Sequence, residues 1–128
     1  MSSAPKPRPR YYDLNLAHLP PPGLVSIFHR ISGLALFFPI LPALLFLLDE
    51  TLGSAQGFAD AREFFSRPLV KLITFAVVWA YAHHFWAGIR YLLLDLHWGI
   101  EKAAARTSAN VVLVLGVATT LAVAWRLW

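Results

Sequence analysis

The chain has 128 residues, 58% hydrophobic and only 14% charged, with eleven Lys and Arg against seven Asp and Glu and a net charge of +4. Soluble domains carry about 25% charged residues, so a water-facing bundle with a polar side on every helix is a poor match. The absence of cysteine excludes disulfides, thiolate haem ligation, iron–sulfur clusters and cysteine nucleophiles.

Nor does the positive charge point to nucleic acid. The basic residues are dispersed among apolar stretches and gather beside them, which is the pattern of membrane topology. Residues 1–22 hold six of the nine prolines together with Lys6, Arg8 and Arg10. They read as an extended basic arm over the membrane surface, with Tyr11 and Tyr12 at headgroup level. No apolar core precedes a small-residue cleavage site there, so no cleavable signal peptide is expected.

Residues 23–128 read as an all-α membrane anchor of three transmembrane helices, at about 23–48, 68–96 and 107–127. In the first, residues 34–48 are cleanly apolar, His29 and Arg30 lie in the opening turns, and Pro39 and Pro42 are candidate kinks. Residues 49–67 are polar, and GFADAREFF within them is compatible with a short interfacial helix. The third span is apolar over residues 111–125, where Gly116, Thr119 and Thr120 offer small or hydroxyl contacts to a neighbouring helix. A buried hairpin of a soluble protein is the competing fold.

Lys6, Arg8, Arg10, Lys102 and Arg106 fall on one side of these spans, and Arg62, Arg67, Lys71 and Arg126 on the other. The positive-inside rule then favours an inside N-terminus and an outside C-terminus.

The second span carries the chemistry. AYAHHFWAGIRYLLLDL, residues 80–96, has two adjacent histidines, an arginine and an aspartate at membrane depth, where ionisable groups are costly and mark function. At about 100° per residue, Val77, Tyr81, His84, Gly88, Tyr91 and Asp95 share one face, and His83 points away towards the Arg90 side. A histidine beside a glycine inside an apolar span is what a buried haem iron needs as an axial ligand. A histidine hydrogen-bonded between helices is the competing account of His84, and it is the preferred account of His83. Trp79 and Trp86 are expected on the far side, against lipid or a partner helix, His18 and His97 at interfaces, and Asp95 at the membrane edge.

Counted at about 1.5 Å per residue from Gly23 and Leu96, His29, Arg30 and Arg90 form a polar layer roughly 9 Å inside one face, and His84 lies roughly 18 Å inside. A haem at His84 would reach that cationic layer with its propionates. The two-turn difference in depth argues against His29 as a second axial ligand, which would then come from another chain. Ser26, Arg30, Gly33 and Phe37 share a face of the first span, and a hydroxyl with an arginine near the membrane edge suits the carbonyls of a quinone.

SIFHRISG (residues 26–33), an S-x-x-H-R-x-S-G motif, is followed by H-x-x-x-G-I-R-x-x-x-x-D from His84 to Asp95 and preceded by RPR…LNL in residues 8–16. Together these resemble the cytochrome b membrane-anchor subunit of bacterial succinate dehydrogenase, the succinate:quinone oxidoreductase of respiratory complex II. The resemblance implies haem b with His84 as axial ligand to its iron, His29 and Arg30 at the propionates, and Ser26 and Arg30 at ubiquinone. It further implies a second hydrophobic anchor subunit supplying the other haem ligand, an iron–sulfur subunit, a flavoprotein subunit and the bacterial inner (cytoplasmic) membrane. His83 stands where family members can have tyrosine, so a ligand swap is conceivable, and Tyr91 where some have histidine. The related fumarate reductase anchor runs in the opposite direction. A cofactor-free anchor or assembly subunit, and a proton relay through His83, His84, Arg90 and Asp95, are the readings from other classes.

Overall fold

The computed structural model describes residues 18–127, and helices occupy nearly all of them. The greater part of the expected N-terminal arm, with Tyr11 and Tyr12, lies outside the described residues, as does Trp128.

Helix α1, Pro21–Ala35, starts on its prolines: Pro20 is extended, and Pro21 and Pro22 occupy the first turn, where a missing N–H costs nothing. The helix then widens into a π-helical turn, Leu36–Ile40, which contains Pro39. A proline inside a helix removes one donor and crowds the carbonyl four residues back, and a wider turn relieves both. Helix α2, Leu41–Gly53, continues beyond it. Helix α3, Ala55–Ser66, is capped by Ser54, whose Oγ accepts from the Gly57 N–H at 2.9 Å.

Helix α4, Pro68–Asp95, begins after an extended Arg67, the conformation that a following proline favours. It ends in a double cap: the His97 N–H donates to Leu94 O at 2.9 Å and the Trp98 N–H to Leu93 O at 3.0 Å, with His97 left-handed at φ 63°. Helix α5 runs Lys102–Leu127.

Three stretches are long and apolar enough to cross a membrane: Pro21–Gly53, Pro68–Asp95 and Lys102–Arg126. Helices α1, α4 and α5 pack on one another, while α2 packs mainly on α3. The core they share is built of small side chains, Val25, Ala87, Ala109 and Val112, with Trp86, Tyr91 and Leu113 around it. Small residues let backbones approach closely where no aqueous hydrophobic effect drives helices together. Leu44, Leu45, Phe46, Leu48 and Leu52 of α2 are each more than half exposed. A continuous apolar surface of this kind is an association hazard in water and an ordinary lipid-facing surface in hydrocarbon. The molecule is therefore an all-α membrane protein with three candidate spanning helices, and the soluble hairpin is set aside.

Candidate functional site

The face of α4 that carries His84, Gly88 and Tyr91 lies against α1. The His84 Nδ1 is 3.1 Å from the His29 carbonyl oxygen and 3.2 Å from Ser32 Oγ, and Ser32 Oγ itself donates to His29 O at 3.0 Å. A carbonyl only accepts, and the single Ser32 hydroxyl proton is already given to it. The proton of this pair must then sit on His84 Nδ1, donated in a fork to the carbonyl and the hydroxyl. The tautomer follows: Nε2 carries the free lone pair and has no hydrogen-bond partner among the described residues.

Gly33 makes this contact possible. A Cβ at position 33 would meet His84 Cε1 at 2.9 Å, closer than real side chains approach. Gly88 admits the facing helix: His29 Nε2 of α1 lies 3.9 Å from where a Cβ on Gly88 would stand. The glycine that gives His84 its room is Gly33, on the facing helix.

The His29 ring stacks on His84, with centroids 4.2 Å apart and planes within 9°, and the Tyr91 ring lies 5.2 Å from it, tilted by 50°. The two rings are therefore at one level, and the two-turn difference in depth expected from the sequence does not occur. That expectation rests on the choice of origin. Counted from the observed helix starts and ends at Pro21 and Asp95, the two residues lie about 12 and 16 Å along their helices, less than one turn apart. Side-chain reach closes the remainder. Stacked rings present faces to each other and not nitrogens end to end, so the pair is not arranged to share one metal ion.

Below this layer α1 gives way to the π-helical turn, and a cleft of about 520 Å³ opens between it and α4. His84 stands in its lining among Gly33, Leu36, Phe37, Tyr81 and Phe85. Apart from the Tyr81 hydroxyl, every other group in that set is apolar or a glycine.

The neighbouring His83 has a different fate. It is fully buried, and neither ring nitrogen makes a well-formed hydrogen bond, the Val25 backbone being the polar group it faces. Trp79 stacks on it at 5.4 Å, Phe28 meets it edge-on at 5.8 Å, and its backbone lies against Gly116 of α5. Enclosed by this chain's own side chains, it has no place in the lining of the cleft that His84 enters.

Arg90 departs from its expected layer with His29 and Arg30. It is buried on the α5 side, where Nε donates to Ser108 Oγ at 3.0 Å and Nη2 to the Ala105 carbonyl at 3.1 Å. Trp86 and Trp79 likewise face inward and not towards lipid: Trp86 Nε1 donates to Thr119 Oγ1 at 3.0 Å, and Trp79 packs on His83 and Phe28. Ser26 and Arg30 stand one turn apart on α1, Ser26 half-buried and Arg30 exposed, without side-chain hydrogen bonds among the described residues.

Sequence reading missed the role of Ser32, although it lies inside the S-x-x-H-R-x-S-G motif, and that of Ser108. The legible signal for Ser32 was its position three residues after His29 and next to Gly33, which puts all three towards one neighbour. No group of three or more His, Cys, Asp or Glu that could hold a bare metal ion occurs among the described residues. A haem asks less of this chain, namely one imidazole with a bare nitrogen, its other N–H fixed, and apolar space beside it. His84 and its cleft meet those conditions, and His83, closed in on every side, does not.

Comparison with known proteins adds to this geometry. Residues 4–123 match the family model described as succinate dehydrogenase/fumarate reductase transmembrane subunit. The chain is similar to a succinate dehydrogenase cytochrome b556 subunit of Coxiella burnetii, 35% identical over 120 residues that cover 92% of this chain and 95% of the relative. It is also similar to a protein of the same description from Rickettsia felis, 28% identical over 115 residues covering 89% and 88%.

Proposed function

Since the chain belongs to the succinate dehydrogenase/fumarate reductase transmembrane subunit family, we propose that it is the cytochrome b anchor of a succinate:quinone oxidoreductase. In this reading it holds haem b jointly with a second hydrophobic anchor subunit and helps to form the site where ubiquinone is reduced. The observation that carries the reading is His84, with Nδ1–H fixed by the His29 carbonyl and Ser32 and its Nε2 left bare beside an apolar cleft.

Haem b, when bound, supplies a one-electron relay in the membrane. His84 would hold its iron through Nε2, and the fork from Nδ1 fixes the orientation of the ring. Gly33 leaves room for the imidazole, and the His29 ring covers one of its faces. His29 and the exposed Arg30 are the polar and cationic groups for the propionates, a role in which arginine gains from charge-assisted bonding to carboxylate. Ser26 and Arg30, one turn apart, are the hydrogen-bonding groups for a quinone carbonyl, with the apolar surroundings taking its ring. A second ligand to the iron would come from the partner anchor. An iron–sulfur subunit and a flavoprotein subunit complete the assembly, in a bacterial inner membrane with the N-terminus of this chain inside.

The family description spans succinate oxidation and fumarate reduction, so a fumarate reductase anchor is the second reading. The first test is a reduced-minus-oxidised visible spectrum of the protein purified in mild detergent from its own membranes, with its companion subunits counted on a gel. A b-type haem signal with three companions is the expected result. A colourless protein from an otherwise intact assembly overturns haem binding and leaves a cofactor-free anchor; a protein without companions leaves the relay. For the quinone site, Arg30→Ala is expected to impair quinone reduction more than succinate oxidation by an artificial dye. Equal loss of both would assign the residue to assembly.

A further inference from the structure

On the side of α4 away from His84, a second cleft of about 610 Å³ opens between the end of α4 and the first half of α5. Trp86, Ile89, Leu93, Val111 and Leu115 give it an apolar wall, and Arg90 is its charged group. We propose that this cleft is a binding site for one acidic phospholipid, its phosphate at Arg90 and its acyl chain along the apolar wall.

Among the described residues, Arg90 carries a charge that no carboxylate balances, faced only by the Tyr91 ring 5.5 Å from its guanidinium. Arg90 is only 6% exposed, and its two hydrogen bonds go to a serine hydroxyl and a backbone carbonyl, which satisfy N–H groups without neutralising the guanidinium. Among the described residues no carboxylate lies within ion-pair distance of it. A buried cation lacking a counter-charge is costly, and more so in a membrane.

The surroundings add to the positive charge. The first turn of α5 contains no acidic residue, Lys102 and Arg106 stand near its start, and a helix N-terminus is itself positive. Asp95 and Glu101 are the acids nearest in sequence, and both are exposed. Against Arg90, Lys102 and Arg106 they leave the edge of the cleft with an excess of one positive charge.

Depth selects the kind of anion. Arg90 lies five residues before the end of α4, about 7.5 Å in, where headgroups give way to acyl chains. Trp98 in the lining is 69% exposed, as befits a tryptophan at a membrane interface. From Arg90 the cleft runs about one turn deeper, to Trp86. A basic recess at the interface that continues as an apolar slot matches a phosphate with its chain, and basic pockets between spanning helices are a known means of holding anionic headgroups. The site lies on the face of α4 opposite the haem reading and does not depend on it.

The test uses the protein purified in mild detergent from its own membranes with any accompanying subunits. It is exchanged against dioleoyl phosphatidylglycerol or dioleoyl phosphatidylcholine, and retained lipids are counted by native mass spectrometry. One phosphatidylglycerol per copy is expected, preferred about five-fold over phosphatidylcholine for each cationic side chain engaged. Val111→Trp, which fills the cleft and leaves Arg90 in place, is expected to lose it. A photoreactive benzophenone side chain replacing the exposed Thr107 is expected to capture lipid. Equal retention of the two lipids, or retention undiminished in Val111→Trp, overturns the proposal. Capture of a polypeptide by the benzophenone also overturns it, by assigning the cleft to a subunit. Should the tryptophan variant not assemble, the wild-type preference and the photocapture still decide.

Discussion

Helix α4 has two polar faces in one span, and they do different things. Towards α5 the hydrogen bonds are met within the chain, Arg90 reaching Ser108 and the Ala105 carbonyl and Trp86 reaching Thr119, and only the charge of Arg90 is left over. Towards α1 the network stays open at one atom. Ser32 and the His29 carbonyl take up Nδ1 of His84, and Nε2 has nothing. In hydrocarbon a polar side chain whose bonds are complete acts as glue between helices, and one with a bare nitrogen in a cleft is a site. His83 and His84 show that residue type does not decide between these outcomes. They are neighbours in sequence, and about 100° of helix rotation sends one into an aromatic box and the other to the cleft.

Mutations break this contrast in order of size. His84→Ala is expected to abolish the haem spectrum of the purified complex, whereas His83→Phe, filling the same aromatic box, leaves it close to wild type. The reverse outcome would move the ligand by one residue and the site to the other face. Ser32→Ala removes one of the two acceptors for Nδ1–H and keeps the other. Haem affinity is expected to fall about ten-fold, the low end of the cost of losing an outer partner of a metal-bound histidine, as read by haem titration of the apo complex. On the α5 side, Ser108→Ala gives up the interhelical bond from Arg90 Nε and leaves that N–H unmet, a loss of about 1 kcal/mol seen as a lower melting temperature in detergent with the haem spectrum retained. Thr119→Val is the smallest change, about 0.6 kcal/mol for its single bond to Trp86, again without a spectral effect. Spectral change in either α5-facing variant would erase the distinction between the faces.

Much of this was legible before any coordinates. The spans follow from apolar runs long enough to cross hydrocarbon, and the polar face of α4 follows from its helical period, because both are local properties of the chain. Pro39 announced a disturbance in the first span, although its form, a π-helical turn that opens the cleft next to His84, depends on what the flanking turns pack against. The depth count failed for a related reason. Rise per residue is a constant of the helix, but the levels at which two helices cross depend on where each one starts and how they pack.

What the sequence determined by itself was the class of molecule and the identity of the unusual residues: three apolar spans, no thiol chemistry, and two histidines and an arginine where charge is expensive. Tertiary structure alone decided which partner each polar atom meets. It put Ser32 and the His29 carbonyl on His84, Ser108 and Ala105 on Arg90, and no well-formed hydrogen bond on His83. A hydrogen bond between helices is fixed by their relative rotation and height, and neither is encoded in the period of any single span.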